Sequence, residues 1–191
     1  MGKGRLEAFS DGVLAVIITI MVLELKVPHS PELSALAPML PVLLSYVLSF
    51  VFIGIYWNNH HHMLHAVQKI NGRALWANLH LLFWLSIVPF VTDWMGENHL
   101  AAVPVALYGA VLFMAGLAYT ILARTLIAYQ GKDSVLAIAL GKDFKGLASL
   151  VFYAIAVALS FVNPRISIAI YILVAVMCFI PDRRIEKVIA E

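Results

Sequence analysis

The chain has 191 residues, of which 62% are hydrophobic and 13% are charged, and its formal net charge is +2 at pH 7. Soluble domains contain about 25% charged residues, so this composition excludes a soluble globular protein and indicates an integral membrane protein. The small positive charge is not gathered into a basic patch with interleaved aromatic residues, so we expect no nucleic-acid partner.

The hydropathy pattern predicts an all-α membrane protein with six transmembrane helices. Each crossing needs about 20 apolar residues, so the chain has room for about six crossings and for no separate soluble domain. The predicted spans are residues 9–27, 36–57, 74–95, 100–123, 144–162 and 165–181. The connections are short, so residues 1–191 are expected to form one bundle with sequential spans as antiparallel neighbours.

Lysine and arginine residues are distributed unevenly between the two sides of the predicted membrane. One side carries only Lys26 and Arg165. The other side carries Lys3, Arg5, Lys69, Arg73, Arg124, Lys132, Lys142, Lys145, Arg183, Arg184 and Lys187. Because positively charged loops are retained in the cytoplasm, both termini are expected to be cytoplasmic.

The first span begins with a charged and polar segment at residues 5–11, RLEAFSD, at the edge of the membrane. A carboxylate at this depth costs a few kcal/mol unless donors surround it, so Asp11, beside Ser10, needs partners on other helices. Arg5 lies about 120° from Asp11 around the helix and is not a suitable partner. Donors at the same depth occur at residues 56–65 of the second span and residues 75–80 of the third, which contain Trp, Asn and His side chains. We therefore predict a polar network that joins the first three spans.

The histidines of the second span raise the question of a metal or haem. His61 and His65 have the i, i+4 spacing that places two imidazoles on one helical face, but no cysteine or carboxylate follows nearby to complete a metal site. His80 opposite one of these histidines is the best haem-ligand candidate, yet a matched second pair is missing. We therefore expect neither metal nor cofactor. No catalytic motif is recognisable, so transport or conduction is favoured over an enzyme.

A stripe of residues at helical spacing runs along the first span, and Ser10 and Asp11 point away from it. Its members are Gly12, Val16, Thr19, Ile20, Leu23 and Val27. Since nearly every residue of the span is apolar, periodicity alone does not distinguish a pore-lining face from a face that contacts lipid or other helices.

The segment Arg5-x-x-x-Phe9-Ser10-Asp11 resembles the signature of the transmembrane protein 175 family of potassium channels. The resemblance continues through Trp57 with His60 and His61, through Trp76-x-Asn78, and through Pro89-Phe90. It covers about the first half of the chain. Prokaryotic family members carry one six-span repeat and assemble as tetramers, so the resemblance implies a homotetramer in the plasma membrane of a prokaryote.

By position, the resemblance implies a pore formed by the first helix, with Val16, Ile20 and Leu23 as apolar rings and Thr19 as a layer of hydroxyls. The rings would form a hydrophobic gate that closes by dewetting, and no carbonyl-lined filter loop occurs in the sequence. The motif residues Arg5, Phe9, Ser10 and Asp11 would be structural, supported by Trp57, His60, His61 and Asn78. The implied function is a leak-type channel for potassium and other monovalent cations, without a cofactor.

A second interpretation remains from the residues themselves. A secondary transporter or a proton pathway would use Asp11 and the histidines of the second and third spans as its ionisable groups. A transporter would saturate and show obligatory coupling, whereas a channel would give currents that follow the electrochemical gradient.

Overall fold

The computed structural model describes residues 2–131, 133–140 and 144–179, and the chain in these ranges folds into helices with short connections. The helices are α1 (Lys3–Leu23), α2 (Leu40–His65), α3 (Gly72–Ser86), α4 (Val88–Glu97), α5 (Ala102–Gln130), α6 (Val135–Leu140), α7 (Phe144–Leu159) and α8 (Pro164–Phe179), and a 3-10 helix at Leu33–Met39 leads into α2. Lys132, Lys142, Arg183, Arg184 and Lys187, which contributed to the predicted orientation, lie outside the described residues, as do positions 180 and 181 of the last predicted span.

Four segments among the described residues are long and apolar enough to cross a membrane, and they are Lys3–Leu23, Leu33–His65, Gly72–Glu97 and Ala102–Gln130. They correspond to the first four predicted spans. α7 and α8 are also apolar, and within the described residues they have 16 residues each, fewer than the roughly 20 of a typical crossing. The all-helical membrane architecture is therefore established, while the fifth and sixth crossings stay predictions.

The third predicted span, residues 74–95, is not one continuous helix. It is divided into α3 and α4 at Ile87, whose backbone N–H bonds to the carbonyl of Trp84 at 3.3 Å in place of the regular pattern. The cause is Pro89, which lies in the first turn of α4 and has no N–H to donate. The division leaves α3 and α4 as two short helices within one membrane-length segment.

The ends of the first two spans also differ from the predicted ones. α1 begins at Lys3 and ends at Leu23, so the whole signature segment is helical and the predicted residues 24–27 lie beyond the helix. α2 continues through His65, which places all of its histidines on helical turns. The charged and imidazole-bearing turns therefore extend the apolar helices to the membrane surface, where Lys, His and Glu side chains can reach water.

The bundle is arranged around α5, which contacts α3, α4, α7 and α8. α1 lies on another side of the bundle and packs against α2, α3 and α4. Close approach of α4 to α2 depends on Gly96, because a Cβ at this position would lie 2.6 Å from the Cα of Val42. α1 is thus supported by three helices along one face, and its other face remains uncovered in the single chain.

Candidate functional site

The candidate site is α1, whose buried face is continuous from one end to the other. Its buried residues are Leu6, Ser10, Leu14, Ile17 and Met21, at intervals of three and four. This spacing places them on one side of a helix. Burial of the four apolar members therefore fixes the rotation of α1 about its own axis.

The opposite face of α1 carries the predicted stripe and is exposed in the single chain. Val16 is 55% exposed, Ile20 is 41% exposed and Leu23 is 79% exposed. Gly12 and Thr19 are also exposed. A contiguous apolar face of this kind marks a surface that meets lipid, another protein chain or an assembled pore. The structure brings the predicted pore residues together on one face, and their role in a pore stays a prediction.

Thr19 supplies the hydroxyl on this face. Its Oγ1 is 2.9 Å from the backbone oxygen of Val16 and 3.2 Å from that of Ala15, so the hydroxyl donates its hydrogen within the helix. Its lone pairs are then left on the exposed side, where they can accept from water or coordinate a cation. The geometry suits the hydroxyl to act as an oxygen ligand.

A buried chain of hydrogen bonds joins α1 to α3 and α2. Ser10 Oγ donates to the carbonyl of Leu6 at 2.9 Å, and Asn78 Nδ2 donates to Ser10 Oγ at 2.9 Å. The Oδ1 of Asn78 then accepts from His60 Nε2 at 2.7 Å. Because the amide nitrogen of Asn78 is used by Ser10, its oxygen faces His60, and the His60 proton is required on Nε2. The three side chains occupy one buried network between three helices.

Asp11 makes its hydrogen bond outside this buried network. Its Oδ1 accepts from Trp57 Nε1 at 3.0 Å, which connects α1 to α2 at the edge of the bundle. Trp57 is 45% exposed, so this contact lies nearer the surface than the Ser10 network. Phe9 is exposed as well, and the Arg5 side chain has no hydrogen bond or ion pair within the described residues. The structural role predicted for Arg5 therefore has no intrachain contact to support it.

Glu7 is a further contact residue that the sequence analysis did not identify. Its Oε1 lies 3.3 Å from His61 Nδ1, and the His61 ring stacks on Trp57 and on His65, with centroids 6.1 Å apart in each case. The sequence feature that could have indicated this contact is an acidic residue and a histidine at the same membrane face on neighbouring spans. His61 thus supports α1 through Glu7, whereas the family resemblance implies a contact with Ser10 or Asp11.

The histidines do not form a metal-binding group among the residues that the structure describes, where no cluster of three or more His, Cys, Asp or Glu side chains occurs. His80, the candidate haem ligand, accepts at Nε2 from Trp84 Nε1 at 3.0 Å, one helical turn away. That ring nitrogen is therefore occupied by a contact within α3.

An apolar groove of about 850 Å³ lies beside the exposed stripe, between α1 and the segment around Pro89. Phe9, Val16 and Ile20 form its α1 wall, and Phe90 lies on the other side.

At the end of α1 away from the signature segment, Lys26 forms an ion pair with Glu97, which raises the pKa of the Lys26 ammonium. This pair joins the connection after α1 to the end of α4.

Several known proteins are similar to this chain in sequence. The family model described as endosomal/lysosomal potassium channel TMEM175 matches residues 5–89. The chain is 55% identical over 191 residues to a potassium channel from Chryseobacterium sp. (strain P1-3), with 100% of each chain covered. It is 32% identical to a potassium channel from Streptomyces collinus, with 91% of this chain and 89% of the relative covered.

A solved structure is also similar. The crystal structure of a lysosomal potassium-selective channel TMEM175 homologue from Chamaesiphon minutus superposes with a TM-score of 0.81 at 28% sequence identity. The superposition covers 94% of this chain and 97% of the other. The similarity therefore extends through the last helices, beyond the segment that the family model matches.

Proposed function

Because this chain belongs to the TMEM175 family, as its relatives of near-equal length establish, we propose that it is a potassium channel of the cell membrane. The family consists of ion channels, and the chain is not an enzyme. The remaining proposals concern how the channel is built: which helix lines the pore, what closes it and how many copies surround it.

The observation that carries the proposal is the uncovered apolar face of α1, opposite a face that is fully packed. One such face cannot enclose a path for ions by itself, so several copies are required around an axis. We propose a homotetramer in which four copies of α1 surround the pore. In this arrangement the packed face keeps the helix in its subunit, and the face with Val16, Ile20 and Leu23 is directed to the axis.

The proposed gate is a hydrophobic constriction. Residues 16 to 23 extend over about 10 Å of helix, so a modest tilt of the four helices moves all three apolar rings together. A narrow ring of Val16, Ile20 or Leu23 side chains expels water, and a bare cation does not cross it. Widening the rings admits water and then potassium, so conduction in the open state is a leak that follows the gradient.

Thr19 is the proposed oxygen ligand within this apolar section. Four hydroxyls with their lone pairs toward the axis replace part of the water shell of a potassium ion. They are fewer and weaker ligands than the stacked carbonyl rings of a filter loop, so we expect modest preference for potassium over other monovalent cations. The pathway needs no cofactor.

The polar contacts behind the stripe are proposed to be structural. Ser10 with Asn78 and His60, and Asp11 with Trp57, fix the N-terminal half of α1 against α2 and α3. These contacts occupy Asp11 and His60, the groups on which a transporter or proton pathway would depend. We therefore favour conduction along the opposite face, in the plasma membrane of a prokaryote with both termini cytoplasmic.

The test is a potassium-flux assay on the purified protein in liposomes, with Val16→Asn beside the wild type. A polar ring at the constriction retains water, so faster and less selective flux is expected. Val22→Asn is the matched control, because Val22 is an exposed valine of the same helix, 45% exposed and about 120° from Val16. Equal flux from both variants, with intact tetramers, would contradict a pore on this face, and saturable coupled flux would favour the transporter.

A further inference from the structure

Arg5 differs from the other charged residues of α1 in its contacts. Lys3 Nζ donates to the carbonyl of His65 at 3.1 Å, Glu7 pairs with His61, and Asp11 accepts from Trp57. The side chain of Arg5 is exposed and makes no hydrogen bond or ion pair with any part of the chain that the structure describes. Its guanidinium is therefore the charge on this helix that is not used to hold the subunit together.

The position of Arg5 around α1 explains why it has no such partner. A helix turns about 100° per residue, so the eleven residues from Arg5 to Val16 amount to three turns and about 20°. The eighteen residues from Arg5 to Leu23 amount to about five whole turns. Arg5 thus lies on the same face as the proposed pore residues, whereas Lys3 lies about 160° away, toward α2.

We infer that Arg5 sets the conductance of the channel, as a ring of four positive charges at the N-terminal mouth of the pore. This inference rests on the proposed arrangement of four α1 helices around an axis. A rise of 1.5 Å per residue places the ring about 16 Å from the Val16 constriction, outside the narrow section. At this distance the ring leaves the gate itself unchanged and lowers the concentration of potassium at the entrance.

The size of the effect follows from Coulomb attraction and ionic screening. Four unit charges about 10 Å from the axis, in water, reduce the local cation concentration about twofold at 0.15 M salt. At 0.01 M salt, where the Debye length is about 30 Å, the same ring reduces it about sevenfold. The reduction applies at the N-terminal mouth only, so ions that enter from that side are slowed more than ions that enter from the other side.

Single-channel recording in planar bilayers tests the inference with charge variants. Arg5→Gln is expected to raise the conductance for ions entering from the N-terminal side about sevenfold in 10 mM KCl and about twofold in 150 mM KCl. Arg5→Lys keeps the charge and is expected to resemble the wild type. Lys3→Gln is the matched control, because it removes a positive charge two residues away on the face that contacts α2. Because its charge lies on the far side of the helix from the axis, it is expected to change the conductance much less than Arg5→Gln does.

A second experiment changes the charge after assembly, so that folding defects do not affect the result. The chain has one cysteine, Cys178, and Arg5→Cys is therefore made together with Cys178→Ala. The introduced thiolate attacks a methanethiosulfonate reagent, forms a mixed disulfide and releases methanesulfinate. A trimethylammonium reagent is expected to lower the conductance toward the wild-type value, and a sulfonate reagent is expected to raise it. Equal effects of the two reagents would refute a role for charge.

The outcomes separate this inference from the proposed pore. If Arg5→Gln and Lys3→Gln conduct alike at 10 mM KCl while Val16→Asn still changes flux, the charged ring is refuted and the α1 pore stands. If Val16→Asn also has no effect in intact tetramers, the proposed pore fails and the ring fails with it. A salt-dependent change that is clearly larger with Arg5→Gln than with Lys3→Gln supports both.

Discussion

Replacement of Asn78 by alanine tests whether the buried polar network holds α1 in place. Asn78 is fully buried and bonds to Ser10 and His60 through its two amide atoms. Alanine leaves the Nε2 hydrogen of His60 buried without an acceptor, which costs about 1–3 kcal/mol. Loss of the bond to Ser10 adds about 0.6–1.7 kcal/mol, from the average to the largest contribution of a hydrogen bond between membrane helices. We therefore expect the free energy of unfolding to fall by about 2–5 kcal/mol.

The change is measured by reversible unfolding in mixed detergent, followed by tryptophan fluorescence. Asn58→Ala is the matched control, because Asn58 is a partly buried asparagine on α2 whose side chain forms no hydrogen bond within the described residues. Its replacement is expected to cost less than about 0.5 kcal/mol. Equal losses from the two variants would refute the network as a source of stability.

A double-mutant cycle identifies the pair that carries the energy. Ser10→Ala by itself leaves the Asn78 amide buried without an acceptor, and Asn78→Ala removes that amide altogether. The two losses are therefore expected to be less than additive by about 1 kcal/mol or more. Strict additivity would show that Ser10 and Asn78 contribute independently, contrary to the 2.9 Å bond between them.

Two further substitutions separate support from conduction. Asp11→Ala removes the acceptor of Trp57 Nε1, so it is expected to lower the free energy of unfolding by about 1–3 kcal/mol. It is also expected to reduce the yield of tetramers on size-exclusion chromatography and to leave the potassium preference unchanged. Normal tetramers with a changed ion preference would contradict a structural role for Asp11. Thr19→Val keeps the shape of the side chain and removes its hydroxyl, so reversal potentials are expected to show a reduced preference for potassium over sodium in normal tetramers. An unchanged preference would count against the hydroxyl layer.

The segments that hold the polar network could be predicted from the sequence because the membrane leaves few alternatives, and the family resemblance selected Trp57, His60, His61 and Asn78 within them. A carboxylate at Asp11 needs a donor at its own depth, and such donors occur on only a few turns of the second and third spans. The exact pairing was not predictable, since Trp57, His60 and His61 lie within five residues of each other and their rotation on α2 depends on packing. The structure assigns Trp57 to Asp11, His60 to Asn78 and His61 to Glu7.

The helical segments were predicted well where apolar length decides them and less well where local chemistry does. Pro89 was visible in the third span, yet hydropathy averages over a window and does not register one missing backbone donor. α2 continues beyond the predicted span 36–57, because histidines lower the hydropathy of a helix without ending it, although the i, i+4 spacing of His61 and His65 already indicated helical turns there. A residue-by-residue account of backbone hydrogen bonds would have indicated the break at Ile87.

The rotation of α1 could not be obtained from its sequence, for a reason specific to membrane helices. In a soluble protein the exposed face is polar and the buried face apolar, but lipid removes that contrast, and apart from Thr19 residues 12–23 carry no polar side chain on any face. The structure supplies the missing information, because Leu14 and Ile17 are buried while Val16 and Ile20 are exposed. Exposure in one chain still does not distinguish lipid from a water path, since both leave an apolar side chain uncovered. Hydration is the property that differs, so if Val16 lines the proposed pore, a polar residue there is expected to change flux, whereas the same residue at Val22 is not.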